Sequence, residues 1–140
     1  MASRRKGRIL AFQALYSWEA AKVPVEDLTG FAWLDEEKLK KLDEGLAAFS
    51  RLIIAGSIEN IEDIDKTIKN HLDNWDITRL NRVDLAILRM SVYSLMFQND
   101  ISPSIVIDEA IGICMEFGAD DSFKFVNGVL DSIRKSLEKQ

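Results

Sequence analysis

Hydrophobic residues recur at spacings of three and four along almost the whole chain, which is the period of an amphipathic helix. Residues 39–53 show it clearly, with apolar side chains at Leu39, Leu42, Leu46, Phe49 and Ile53. No stretch keeps the strict alternation that a half-buried strand requires. The pattern predicts an all-α protein of about seven helices joined by short connections, folded as one domain over residues 1–140.

Breaks in the pattern divide the chain into predicted helices. In the first half these are a helix over 4–22, a short helix after Pro24, and one that starts at Asp35-Glu36-Glu37 and stops near Gly56-Ser57. A helix over 57–73 follows, and its apolar stripe continues to Trp75. The last three are a helix over 79–98, one over 104–117, and one capped by Asp120 or Asp121. The first is apolar on nearly all sides except for a narrow stripe of Lys6, Gln13 and Ser17. It is therefore predicted to be a central, buried helix.

Two glycines near the C-terminus are assigned different roles. Gly118 follows the 104–117 helix and suits the residue just beyond a helix end. Gly128 falls within the last helix, where glycine costs about 1 kcal/mol relative to alanine. We expect such a glycine to allow close approach of another helix or of a ligand.

Positive charge is concentrated at the start of the chain. Four of the 18 Lys and Arg residues lie in the first eight positions, as Arg4, Arg5, Lys6 and Arg8, and the remaining 14 face 23 Asp and Glu. We call these four side chains the basic head. A basic head on an acidic body indicates a local contact with a polyanion, although a solvated N-terminus is an equally ordinary explanation. Gln13 and Tyr16, one to two turns further on, favour RNA, whose recognition uses cations together with amides and aromatic faces.

Other classes of function find little support. The single cysteine, Cys114, excludes an intramolecular disulfide and lies on an apolar stripe, and the single histidine, His71, lacks partners at metal-ligand spacing. Acid pairs such as Asp108-Glu109 suit helix starts or solvated faces, and there is no Gly-rich phosphate loop. No apolar run is long enough for a membrane span or reads as a signal peptide. The sequence predicts a cytoplasmic protein that is not an enzyme.

Three blocks of the sequence together resemble the bacterial NusB family. They are Arg4-Arg5-Lys6-x-Arg8 with Phe12-Gln13-Ala14-Leu15-Tyr16, then Ala86 to Leu95 with Ile101-Ser102-Pro103 and Val106 to Ile111, and finally Phe117-Gly118-Ala119-x-Asp121-Ser122-x-Lys124-Phe125-Val126-Asn127-Gly128-Val129-Leu130-Asp131. The blocks occur in the family's order and span nearly the whole chain.

The resemblance implies two packed helical halves and a role in transcription antitermination. Family members bind the single-stranded boxA element of nascent RNA together with NusE, a small-subunit ribosomal protein. That complex joins NusA, NusG and RNA polymerase and suppresses premature termination, notably in ribosomal RNA operons. No catalysis and no cofactor are implied.

Carried over by position, the resemblance assigns a set of RNA-facing residues. They are Arg4, Arg5, Lys6 and Arg8 for phosphates, Gln13 and Tyr16 on the first helix, and Asp121, Ser122, Lys124, Phe125 and Asn127 in the C-terminal block. Phe125 is expected to divide between core packing and base stacking. Phe123 departs from the family's usual polar residue and could add a stacking surface. Gly7 is expected to loosen the first turn, so that the arginines order on binding RNA.

A protein-binding role is open for two charges at the start of the 79–98 helix. From composition, Arg82 and Asp84 are either a solvent edge or part of an interface, and the resemblance favours Asp84 as a contact for the ribosomal protein. The alternative to the RNA-binding hypothesis is a purely structural helical interaction module, or a homodimer, whose basic head only aids solubility.

Overall fold

Helices and short connections make up the fold in the computed structural model, which describes residues 4–73 and 76–140. These contain eight α-helices: α1 (Arg4–Ala21), α2 (Val25–Thr29), α3 (Glu36–Lys40), α4 (Glu44–Glu59), α5 (Ile61–Lys69), α6 (Arg82–Phe97), α7 (Pro103–Phe117) and α8 (Ser122–Glu138). A 3₁₀ turn spans Ile77–Arg79, and no strand occurs in either described range. The predicted all-α class is confirmed, with eight α-helices where about seven were expected.

The segment from Asp35 to Trp75 is divided differently from the prediction. Its first part is two helices, because Asp35 accepts a hydrogen bond from the Lys38 amide and Asp43 accepts one from the Leu46 amide, so each begins its own helix. The predicted break at Gly56-Ser57 is wrong, since α4 continues to Glu59. The chain turns at Asn60, and α5 ends at Lys69. The predicted continuation of the stripe to Trp75 lies outside the described residues.

Local chemistry sets three further boundaries. Asn81 caps α6 by accepting hydrogen bonds from the amides of Val83 and Asp84, which moves the start of that helix from 79 to 82. Asp121 stands at the N-cap position of α8, but its side chain accepts no capping hydrogen bond from a described residue. Gly118 follows α7 with a φ of −90°, so it needs no left-handed backbone. A Cβ atom there would lie 2.8 Å from the carbonyl oxygen of Cys114, and lack of space explains this glycine.

Two long helices, α1 and α6, form the centre of the molecule. The α1 residues Ala11, Ala14 and Leu15 are fully buried, and α6 is buried continuously from Asp84 to Ser94. Helix α1 packs on α4 and α6, whereas α6 also contacts α5, α7 and α8. The central, buried position predicted for α1 is confirmed. No helix in the described ranges is both long and apolar enough to cross a membrane.

A buried arginine joins three of these helices. The Arg89 side chain, 7% exposed, donates two hydrogen bonds to the Asp65 carboxylate on α5, at 2.9 and 2.8 Å. Its third nitrogen lies 3.5 Å from Glu19 on α1. The guanidinium also stands over the Trp18 ring, 5.7 Å from its centroid. This network ties α1, α5 and α6 together through one cation.

Glycines let α4 approach its two neighbours closely. A Cβ atom on Gly56 would overlap the ring of Tyr93 on α6, and one on Gly7 would lie 2.8 Å from Phe49 on α4. The Ser50 hydroxyl donates a hydrogen bond of 2.7 Å to the Gly7 carbonyl oxygen. The expected loosening by Gly7 is therefore wrong, since this glycine fixes the first turn of α1 against α4.

Candidate nucleic-acid interface

The basic head occupies the first two turns of α1, and its four side chains have different surroundings. Arg4 and Lys6 are exposed. The Arg4 guanidinium lies over the Phe49 ring at 4.8 Å from its centroid, and the Arg8 guanidinium lies over the same ring at 5.2 Å. The same aromatic side chain of α4 thus contacts two of the arginines, and each cation is attracted to the face of the ring.

Arg8 is part of the packed interior. Its side chain is 2% exposed, and its Nη2 atom has no hydrogen-bond partner among the residues the structure describes. Burial lowers the pKa of Arg8, as do the nearby Arg4 and Arg5, whereas the negative charge of Glu109 opposes that shift. A phosphate could reach Arg8 only if the first turn moved, so in this conformation Arg8 positions Phe49.

Arg5 already has an anionic partner. Its Nε donates a hydrogen bond of 2.5 Å to Glu109 on α7. The guanidinium also lies against Gly112, where any Cβ atom would overlap it. The basic head therefore presents two exposed cations, one cation paired with a carboxylate, and one buried cation.

An aromatic groove of about 380 Å³ lies further along α1. It is lined by Phe12, Gln13, Tyr16, Ser17, Trp33, Val83 and Phe117. Tyr16 is 38% exposed, and the rings of Phe12 and Phe117 pack 5.2 Å apart. The structure thus brings Gln13 and Tyr16 together with Trp33 and Phe117, two aromatic residues to which neither the sequence pattern nor the family resemblance gives a binding role. The sequence feature that could have identified Phe117 is its position at the end of a predicted helix, directly before a glycine.

An acidic groove of about 620 Å³ lies beside the N-terminus of α6. Its lining residues are Arg79, Leu80, Asn81, Asp84, Ala119, Asp120, Asp121, Ser122 and Phe125. Asp84 is only 7% exposed, and its Oδ1 has no hydrogen-bond partner within the described part of the chain. A buried carboxylate oxygen in this state favours a ligand that brings a hydrogen-bond donor. Arg82 is exposed on the first turn of the same helix.

The C-terminal block adds side chains of several kinds. Lys124 and Asn127 are exposed, Ser122 is buried, and Phe125 is half-buried against the core while also lining the acidic groove. Phe123 packs partly against the core, with the Lys124 ammonium 5.9 Å from its ring. Phe125 therefore has the core contact expected of it, and its expected role in base stacking stays a prediction.

Metal or thiol chemistry has no visible basis in the described ranges. No group of three His, Cys, Asp or Glu side chains there could hold a metal ion. Burial, assisted by the negative charge of Asp84, raises the pKa of Cys114 to about 12, so this thiol stays protonated at neutral pH.

Replacing Asp84 with asparagine is expected to raise the melting temperature at pH 7. Burial raises the pKa of Asp84, with the Ser122 hydroxyl opposing, so the folded state binds this proton more tightly than the unfolded state. Stability is therefore lost as pH rises above the ordinary carboxyl pKa of about 3.9, and Asp84→Asn removes that loss. Thermal melts from pH 3 to pH 8 should show that the difference in melting temperature between the variant and the wild type becomes smaller as the pH is lowered. The exposed Asp120→Asn is the control, and an equal gain in both variants would contradict the burial argument.

Proteins with similar sequences and structures are known. The Transcription antitermination protein NusB of Treponema denticola is 55% identical over 131 residues, covering 94% of this chain and 95% of the relative. The protein of the same name from Borreliella burgdorferi is 39% identical, covering 94% and 93%.

Solved structures superpose closely on the chain. A T. maritima NusB structure has a TM-score of 0.85 at 37% identity, covering 96% of this chain and 92% of that one. A structure of the antitermination factors NusB and NusE in complex with dsRNA has a TM-score of 0.84 at 29% identity, covering 95% and 96%. The family model described as the NusB family matches residues 5–135. The chain therefore belongs to the NusB family.

Proposed function

We propose that this protein is a transcription antitermination factor that binds boxA single-stranded RNA together with NusE. The complex would join NusA, NusG and RNA polymerase and help the polymerase read through terminators, above all in ribosomal RNA operons. Named relatives are transcription antitermination proteins, and a similar structure contains NusE and RNA. The proposed role is regulatory and includes no catalytic step.

The observation that carries this proposal is the arrangement of α1. The helix bears exposed cations at its start and borders the aromatic groove further along, with Tyr16 about 18 Å from Arg4 at 1.5 Å per residue. Phosphates bind cations without regard to sequence, whereas unstacked bases need aromatic faces and amides. Because such bases occur in single strands, the aromatic groove favours single-stranded RNA over a duplex.

The proposed RNA contacts have different roles. Arg4 and Lys6 bind phosphates directly, and Arg5 joins them when RNA displaces Glu109. Arg8 acts indirectly by positioning Phe49. Gln13, Tyr16, Phe125 and Asn127 meet bases, and Lys124 meets a phosphate. Asp121 and Ser122 lie at the border of this surface, where it meets the acidic groove.

NusE is proposed to bind through the start of α6. The unpartnered Oδ1 of Asp84 accepts a hydrogen bond from a cationic or amide group of the partner, and Arg82 lies on the outer edge of the contact. The acidic groove repels phosphates, so it suits a basic ribosomal protein better than RNA. The two ligands would then lie side by side and share one RNA strand, which increases affinity without new contacts on this chain.

Removing Arg4 and Lys6 together is expected to weaken RNA binding and its dependence on salt. Each phosphate contact on a single strand contributes about −0.7 to the slope of log K against log salt concentration. The double variant Arg4→Ala/Lys6→Ala should therefore be shallower than the wild type by about 1.4. Fluorescence anisotropy of a labelled boxA-type RNA, with and without NusE, measures the slope.

Two comparisons control this experiment. Lys40→Ala/Lys139→Ala removes the same charge from exposed positions outside the proposed site and should keep the wild-type slope. An RNA with a mutated boxA element should lose the tight binding that NusE confers. Equal binding to both RNAs, or none with NusE present, would leave only a helical interaction module.

A further inference from the structure

Gly128 is an exposed residue inside α8, and packing does not account for it. Among the residues that the structure describes, no atom would lie within 4 Å of a Cβ atom at this position. The close approach of another helix, one of the two expected reasons for this glycine, is therefore wrong for the described part of the chain. A glycine inside an exposed helix costs about 1 kcal/mol relative to alanine, so its surroundings are the place to seek a reason.

Gly128 forms part of a groove between α8 and the end of α5. This groove, which we call the glycine groove, has a volume of about 420 Å³. It is lined by Asn70, His71, Leu72, Asp73, Lys124, Phe125, Gly128, Val129 and Ser132. Phe125 also lines the acidic groove, so it borders both grooves. Any side chain added at Gly128 would project into open space at the groove surface.

The glycine groove offers the groups that a nucleotide needs. Lys124 is an exposed cation, and Phe125 and His71 are two aromatic side chains. The Nδ1 atom of His71 lies 3.0 Å from the Thr67 carbonyl oxygen, which can only accept, so Nδ1 carries the hydrogen. In the neutral ring, Nε2 is then a hydrogen-bond acceptor, and Asn70 and Ser132 add an amide and a hydroxyl.

Charge distinguishes this groove from its neighbour. Three carboxylates and a single arginine line the acidic groove, whereas one lysine and one carboxylate, Asp73, line the glycine groove. A phosphate is therefore repelled less on the Gly128 side of Phe125. Groups of this kind, a cation with aromatic faces and amides, are those that bind single-stranded RNA.

We propose that the glycine groove is a further nucleotide subsite, occupied by the RNA strand beyond Phe125. This inference rests on the RNA binding proposed above, and it places the contacts proposed there for Lys124 and Phe125 in the glycine groove. Lys124 contacts the phosphate, the base lies against Phe125 and His71, and the sugar crosses α8 at Gly128, where a side chain would block it.

Gly128→Gln tests the subsite, because glutamine favours the helix and obstructs the groove. We expect affinity for boxA-type RNA to fall about tenfold, or 1.4 kcal/mol, in the presence of NusE. The melting temperature should be equal to the wild type or higher, and Gly128→Ala should give a smaller loss of affinity. Ser104→Gln, which places the same side chain on the exposed first turn of α7, should bind RNA like the wild type.

RNA truncation locates the effect. Shortening the RNA one nucleotide at a time should, at one end, remove the difference between the wild type and Gly128→Gln, because the nucleotide in the groove is then missing. Truncation at the other end should leave that difference intact.

The remaining outcomes separate the two proposals. If the wild type fails to bind boxA-type RNA even with NusE, the proposed function fails. If the wild type binds and both Gly128 variants bind equally well, only the subsite is overturned. If Gly128→Gln keeps its RNA affinity but loses NusE, the groove is a protein-docking surface and the subsite is again overturned.

Discussion

Asp65→Ala is expected to lower the free energy of unfolding by about 3 kcal/mol, because it leaves the buried cation of Arg89 without its main partner. Of the carboxylates in the described ranges, only Glu19, at 3.5 Å, would then pair with the Arg89 guanidinium, whose side chain is 7% exposed. The cost comes chiefly from the charge left unpaired and away from water. Urea denaturation followed by circular dichroism measures it, and the slope with denaturant should stay unchanged.

An exposed pair provides the control for this prediction. Glu37 and Lys41 form an ion pair whose side chains are 80% and 75% exposed, and such pairs contribute about 0–1 kcal/mol. Glu37→Gln should therefore leave stability nearly unchanged. If Asp65→Ala also cost less than about 1 kcal/mol, the Arg89 network would not be a structural tie between α1, α5 and α6.

Gly56→Ala is expected to destabilise the protein by about 2 kcal/mol through overpacking. Its added methyl group would overlap the Tyr93 ring, which is 6% exposed and packs 5.5 Å from the Phe97 ring. Helix propensity works in the opposite direction by about 1 kcal/mol, so the steric effect must exceed it. Thermal and urea denaturation should both show the loss.

Gly128→Ala is the matched comparison, since it makes the same change inside a helix where no atom of residues 4–73 or 76–140 lies within 4 Å of the added Cβ. There the gain in helix propensity is unopposed, and stability should rise by up to about 1 kcal/mol. The two glycine variants should therefore shift the midpoint of denaturation in opposite directions. Two shifts of the same sign would show that propensity or packing alone governs both positions.

The positions of the main helices along the chain can be predicted from local sequence, but the exact number of helices cannot. Spacings of three and four identify α1, α4 and α6 because one face of each must be buried. The split between α3 and α4 depends on Asp43 accepting the Leu46 amide, a single hydrogen bond that periodicity does not report. Similarly, Gly56 looks like a helix end in sequence, and only the Tyr93 ring shows why it is a glycine.

The candidate site is predictable in composition and less so in geometry. The sequence gives no reason to distinguish the four cations Arg4, Arg5, Lys6 and Arg8. In the structure they differ in exposure and pairing, because some of them contact residues that are distant in the sequence. Arg8 is buried against the Phe49 ring, 41 residues further along the chain, and Glu109 lies 104 residues from the Arg5 it binds. Such long-range pairings are set by packing of α1 against α4 and α7, which no local pattern contains.

The hydrogen bond from Ser50 to Gly7 bears on the thermodynamics of ligand binding. It joins the first turn of α1 to α4, and residues 4–8 are helical in the free protein. Ordering five residues costs about 1–2 kcal/mol each in backbone entropy, and this cost falls on domain folding rather than on binding. A disordered arginine-rich arm would instead lose that entropy on each encounter. RNA association here should accordingly show the small heat-capacity change of a rigid surface, without the large negative value of coupled folding.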